Sequence, residues 1–338
     1  MEFAKGYTSS YYGYYVDTAT WRDVERFEIT GGSITREPQD LRESAQIERH
    51  DWTEERERYI RIYLDATQGS ETAHLPLFTG LVTSPQQNIQ GLRVKDRSAQ
   101  CYSVLKPAQD VLLDRGWYAP VEIEGAALIK QLFADLPAPV VVAENSPSLE
   151  EAIIAEDNES RLSMADKILT AINWRLKLGG GGTIYVLPKA TEPAAILSAT
   201  LNDIIETEME ISRDWYGAPN VFRAVSNDLS AVARDDSEKS ELSTVNRGRE
   251  IWKEETNCAL SAGESIADYA IRRLREEQKI QTSVSYNRRF LPDVVPSDLL
   301  TLHYPEIGLQ GTYQITSQTI DLTYGGRTQE EVVDYERD

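Results

Sequence analysis

The chain has 338 residues, and its 55 acidic against 35 basic side chains give a formal charge of −20, a field that repels a polyanion and argues against a nucleic-acid clamp. No apolar run approaches the ~18–20 residues of a bilayer span, and Met1-Glu2-Phe3-Ala4-Lys5 lacks the regions of a signal peptide. Cys101 and Cys258 are too few for a disulfide framework or a zinc site, so the 41% apolar content reads as an acidic protein of about two to four compact units, made inside the cell.

The opening carries five tyrosines, Tyr7, Tyr11, Tyr12, Tyr14 and Tyr15. Tyrosine supplies large amphipathic area at low entropy cost, so these are candidate protein-interface residues; an edge strand packing on its own domain is the equal alternative. Arg26-Phe27-Glu28-Ile29-Thr30 alternates, Gly31-Gly32 is expected to turn, and Ser44 to His50 resumes the period of two. Tyr59 to Leu64, Leu75 to Thr83 and Gly91 to Tyr102 follow as strands. A hundred residues of strands and turns without a helix predict a small β-barrel or sandwich.

Helices and strands mix from Lys106-Pro107 onward. Gly125 to Leu136 has a helical stripe ended by Pro137, and Val140-Val141-Val142 is a short strand. Ser163 with Asp166 reads as a capping box opening a second helix. Trp174 to Leu178, four glycines (Gly179 to Gly182) and Thr183 to Leu187 predict a β-hairpin. A phosphate loop would need Lys-Ser/Thr directly after the glycines, and a strand former stands there instead.

The third region is β again. Met209 to Trp215 and Asn220 to Ser226 read as strands, and Arg234 to Glu241 as a solvated loop. Ser261 with Glu264 suggests a capping box ahead of a helix bearing Ile266, Tyr269, Ala270 and Leu274. Strands at 281–290, 299–304 and 312–322 close the region, and Gly325 to Asp338 is expected to fray.

Reactive constellations are missing from this pattern. His50, His74 and His303 sit in or beside predicted strands, outside any paired motif. No GxSxG elbow frames a serine, and neither cysteine has a nucleophile's local signature. Carboxylate pairs such as Glu54-Glu55, Asp235-Asp236 and Glu330-Glu331 fall in hydrophilic stretches, which favours solvation over glycosidase chemistry. No catalytic residue, metal ligand or cofactor is therefore assigned.

Three stretches carry a likeness. Phe27 to Arg36, with Asp40-Leu41-Arg42-Glu43-Ser44-Ala45-Gln46-Ile47, is a strand–turn–strand opening with an Asp-Leu-Arg step. Ser163 to Pro188 is helix, Trp-containing strand, glycine turn and strand. Asn220-Val221 leads through Gly248-Arg249 and the Ser265-to-Leu274 helix to Gly308 to Ile315 and Ile320-Asp321-Leu322. In these the chain resembles the baseplate hub proteins of contractile-tailed bacteriophages and phage-derived bacteriocins, the late-control-D-like group common in Gram-positive prophages. One departure is Val295-Pro296-Ser297-Asp298, where many relatives carry a Val-Gly-Asp turn; Pro demands negative φ there.

The resemblance implies an α+β, mainly β chain. Residues 1–105 and 193–330 would be tube-like β-barrel modules, 106–192 an α+β module between them, 263–278 a helix inserted in the second barrel, and 331–338 a polar tail. It implies a homotrimer without enzymatic activity or cofactor. The trimer would join a sixfold tail tube or tube-initiator protein to a threefold central spike protein, beside the tape-measure and neighbouring baseplate proteins. DNA would pass its channel without specific binding, and no membrane would be entered. The place implied is the virion tail baseplate, after synthesis in the bacterial cytoplasm. The alternative reading is a carbohydrate- or cell-wall-binding module with weak hydrolase activity, since six Trp and 17 Tyr suit sugar stacking; an exposed row of these rings would mark it.

Overall fold

The computed structural model describes residues 1–335 except 4, 51, 53–55, 84, 91–92, 199–204, 214, 227–228, 257 and 259–264. The first region forms β1 (Thr8–Asp17), β2 (Arg22–Glu28), β3 (Gly31–Arg36), β4 (Glu43–Arg49), β5 (Arg58–Gln68), β6 (Glu71–Val82), β7 (Gln86–Gln90) and β8 (Arg93–Ser103). Alternation builds them: in β4, Glu43, Ala45, Ile47 and Arg49 are buried while the residues between them are more open. Gly31 and Gly32 begin β3 rather than turning. Gly32, at φ +130°, lies so close to the Gln46 carbonyl that a Cβ would sit 2.0 Å from it, which only glycine permits.

The middle of the chain gives α1 (Lys106–Asp110), β9 (Tyr118–Ala119), α2 (Gly125–Leu132), β10 (Val140–Val142), β11 (Ile153–Ile154), α3 (Arg161–Ala171), β12 (Trp174–Leu178), β13 (Ile184–Pro188) and β14 (Pro193–Ser198). The second cap lies earlier than its sequence pattern suggests. Ser160, in extended conformation, accepts the Ser163 amide and starts α3, while Asp166 turns away to Arg42. β12 and β13 form the expected hairpin around the four glycines, and β10 pairs parallel to β13.

The last third gives β15 (Ile205–Arg213), β16 (Val221–Ser226), β17 (Leu229–Arg234), α4 (Thr244–Arg247), β18 (Trp252–Thr256), α5 (Ile266–Glu277), β19 (Thr282–Arg288), β20 (Leu299–Tyr304), β21 (Leu309–Asp321) and β22 (Thr328–Asp334). Ser261 and Glu264 lie outside the described residues. The cap of α5 is Ser265, whose side chain accepts the Asp268 amide. The tail expected to fray from Gly325 is instead largely β22, with Thr328, Glu330 and Val332 buried.

Contacts divide the chain into two compact units, 1–209 with 285–338, and 210–284. In the first, strands follow in one hydrogen-bonded path, β19-β22-β21-β3-β4-β8-β6-β5-β1-β2, with β20 pairing β21, β14 pairing β20 and β7 pairing β8. The N-terminal and C-terminal strands meet where β3 pairs antiparallel to β21. Ile34, Ile47, Ile60, Ile62 and Phe78 fill one core, which Phe290, Ile320 and Leu322 complete from the far end of the sequence. A second core, around Ile129, Met164, Ile168 and Val186, belongs to the α+β stretch. In the 210–284 unit, β17, β16 and β18 form a sheet, and Tyr269, Ala270 and Leu274 of α5 cover its Phe222–Ala224 face.

Candidate functional site

The tyrosine strand is interior, since β1 lies between β2 and β5, antiparallel to both. Strand alternation splits its rings. Tyr11 and Tyr15 join the core, where Tyr15 packs on Phe27 (centroids 5.0 Å) and under the Arg58 guanidinium (3.6 Å). On the other face Tyr12 stacks on Tyr63 at 5.5 Å and donates to Asp65 Oδ1 at 2.9 Å, and half-exposed Tyr14 meets both rings edge-on. Tyr7 is half-buried against the first core. The strand thus brings Tyr12 and Tyr14 together with Tyr63, a partner that only β5 register supplies.

Where β3 meets β21 a run of charged groups is buried. Arg36 faces Glu43 across the β3–β4 pair (Nε to Oε2 3.5 Å) and donates to Gln318 Oε1 (3.0 Å) and to the Leu77 carbonyl. Gln318 Nε2 donates to Glu330 Oε1 (3.0 Å) and to the Val294 carbonyl (3.0 Å). Glu330 also accepts from Arg288 Nε (2.9 Å) and Tyr286 Oη (2.7 Å). Burial pushes the Glu330 carboxyl up, but Arg288, Tyr286 and Gln318 outweigh it and hold the group below its ordinary range. At the other end burial wins: Glu43, with Oε1 unbonded among the described residues, is pushed up to about 7 despite Arg36. The Glu330-Glu331 pair expected to be solvated is therefore half core. Parity held the signal, since Arg288 shares the buried face of β19 with Val284 and Tyr286.

The α+β stretch is fastened to the same sheet by two devices. Gly181 accepts hydrogen bonds from Trp21 Nε1 (3.1 Å) and Arg61 Nη2 (3.0 Å), and Gly180 from Thr79 Oγ1 (2.7 Å). A Cβ on Gly180 would lie 1.8 Å from the Pro76 carbonyl oxygen. Gly180→Ala is expected to lower stability by about 1–3 kcal/mol, whereas Gly181→Ala, whose Cβ meets nothing within 4 Å, leaves it unchanged; equal denaturation midpoints would separate the turn from this packing. Asp298 then accepts from Arg175 Nη2 (2.7 Å) and Lys177 Nζ (3.2 Å), and from the Val295 amide (3.1 Å). In that variant turn the positive φ falls on Ser297, as Pro296 requires.

Among the described residues no group of His, Cys, Asp and Glu gathers at metal-ligating distances. His50, His74 and His303 are exposed; His74 Nδ1 lies 2.6 Å from Asp65. Burial pushes the Cys101 thiol up and away from thiolate chemistry. No helix among these residues is long and apolar enough to cross a membrane.

The 210–284 unit holds a cleft of about 660 Å3 between Gly217–Pro219, the start of β18 and the C-terminal turn of α5. One aromatic ring lines it, Trp252, 49% exposed; Trp215 and Tyr216, 53% and 68% exposed, immediately precede its lining residues Gly217–Pro219 in the chain. Arg247 lies over Trp215 (5.6 Å) and donates to the Trp215, Tyr216 and Ala218 carbonyls; Arg249 covers Tyr216 (4.6 Å). Trp252 Nε1 donates to Glu250 Oε2 at 2.9 Å, and Arg223 lies 5.1 Å from its ring.

No family profile and no curated protein matches the chain by sequence. Solved structures do match. The 43 kDa tail protein of prophage MuSo2 from Shewanella oneidensis aligns with TM-score 0.67 at 13% identity, over 96% of this chain and 97% of that one. The tail protein of Neisseria meningitidis MC58 aligns with TM-score 0.64 at 14% identity, over 97% of each. A chain of the half-lidded Francisella PdpA–VgrG complex gives 0.58 at 7% identity, over 98% of this chain and 58% of that one. This protein therefore has, almost end to end, the mainly β fold of phage tail proteins.

Proposed function

We propose that the chain is a structural component of a phage or phage-like contractile tail, the baseplate hub that joins tube to spike. The observation that carries the reading is a fold likeness to two tail proteins covering 96–97% of this chain and 97% of theirs. Three copies would form the adaptor, with the strands of 1–105 and 193–330 closing as tube-like barrels around a channel. The tube or tube-initiator, spike, tape-measure and neighbouring baseplate proteins would be its partners. A formal charge of −20 per copy suits a channel wall that DNA slides past. Tyr14, with the Tyr12–Tyr63 stack beneath it, is the part of the tyrosine strand that remains to meet a neighbour, because Tyr11 and Tyr15 are spent in the core.

Light scattering behind a sizing column is expected to give about three times the 38.1 kDa chain mass, and negative-stain images of that peak a ring with a central hole. A monomer at every concentration, with no ring after purified tube and spike proteins are added, would overturn the reading.

A further inference from the structure

The cleft of the 210–284 unit is unused by the hub reading. From its chemistry we infer that it is a binding site for a neutral oligosaccharide, a function separate from assembly.

Its volume, about 660 Å3, lies in the range of small-ligand sites. Its charged walls come within one charge of balance, Lys253, Arg273 and Lys279 standing against Glu276 and Glu277. Lys253 is paired with Glu277 (2.5 Å), and Arg273 with Glu276 (2.7 Å) and Glu277 (3.1 Å). Such a wall offers fixed donors and acceptors with little net field, which suits hydroxyl groups; an anion or cation would first have to break a pair. Trp252, on the cleft wall, presents a broad ring face to solvent, and Trp215 and Tyr216 immediately precede the lining residues Gly217–Pro219. Sugar rings expose C–H faces that pack on aromatic surfaces while their hydroxyls reach polar neighbours.

The rings are also held before any ligand arrives. Arg247 locks the 215–218 loop through three carbonyls, and Glu250 fixes the Trp252 indole. Ordering costs are then met in the free protein and not on binding. A protein partner fits less well. Interface centres are apolar and lose water, whereas the apolar lining here is Ala218, Pro219, Ile280 and the Trp252 ring among charged and amide side chains.

The test is titration of the full chain with malto-, cello- and chito-oligosaccharides, read by tryptophan fluorescence and calorimetry. One of the three is expected to bind saturably, and Trp252→Ala to weaken it at least tenfold with an unchanged thermal melt; Tyr216→Ala is the second variant. Silence from all three sugars to millimolar concentration, or equal binding by both variants and the parent, would overturn the site. A Trp252-dependent emission change that follows protein concentration, with none from sugar, would give the rings to a protein interface and also overturn it. The sugar titrations do not bear on trimer formation, which the sizing experiment reads, so the two readings fail independently.

Discussion

Glu330→Ala is expected to remove about 3–5 kcal/mol of folding stability, the usual cost of stranding one member of a buried ion pair. Both partners are fully buried, their side chains at 0% exposure, so Arg288 could not recover its lost carboxylate from water. Tyr286 and Gln318 would lose an acceptor at the same stroke. The paired replacement Arg288→Met with Glu330→Leu should recover much of the loss, since an apolar pair of similar volume carries no stranded charge. Guanidinium unfolding of parent, single and paired variants measures both. A single variant within 1 kcal/mol of the parent, on the order of a surface change, would show that the pair contributes little to the β19–β22 junction.

Glu43→Gln should behave in the opposite sense and only above mild acidity. The Glu43 carboxyl titrates near 4.5 when unfolded and about 7 when folded, so the folded chain holds a proton that the unfolded chain has released. Stability therefore falls as pH rises from about 4.5 to about 7 and levels beyond that. Glutamine imitates the protonated form and carries no such slope. The variant should match the parent near pH 4 to 5 and exceed it by up to about 3 kcal/mol near pH 8. The groups facing Glu43 are Arg36 across the strand pair and Arg42, Glu37 and Lys177 around the small cavity beside it. Parallel stability curves for the two proteins across that range would mean that Arg36 compensates the carboxylate in full.

Much of the β architecture was legible because alternation is a local property. Tyr59 to Leu64, the β12–β13 hairpin and the strands near 299 and 312 all declare themselves within a few residues. The strands that escaped notice are those whose polar residues find distant partners. Thr328-Gln329-Glu330-Glu331 reads as a solvated tail until Arg288 and Gln318 are placed opposite Glu330. Trp252-Lys253-Glu254-Glu255-Thr256 carries no clear strand pattern and is assigned no element from sequence; its carboxylates find Arg223 and Arg273 only in the fold. The tyrosines were visible as a cluster, yet which face each ring takes follows from the pairing of β1 with β2 and β5. The cleft was beyond sequence reasoning altogether, since Trp252 is an ordinary scattered residue until Gly217–Pro219 and the end of α5 stand beside it.

The meeting of β3 with β21 also sets a timetable for the growing chain. Arg36 and Gln318 are 282 positions apart. A ribosome adding about 5–20 residues per second would leave the outer edge of β3 unpaired for roughly 15–60 s. An open strand edge is where nascent chains stick to one another. Here the waiting edge carries Arg36, a charge that the finished molecule buries and that an intermolecular strand could seldom neutralise. The residue that costs desolvation in the completed sheet is thus placed to guard the unfinished one, and Arg36→Leu would expose its absence first as aggregation during synthesis.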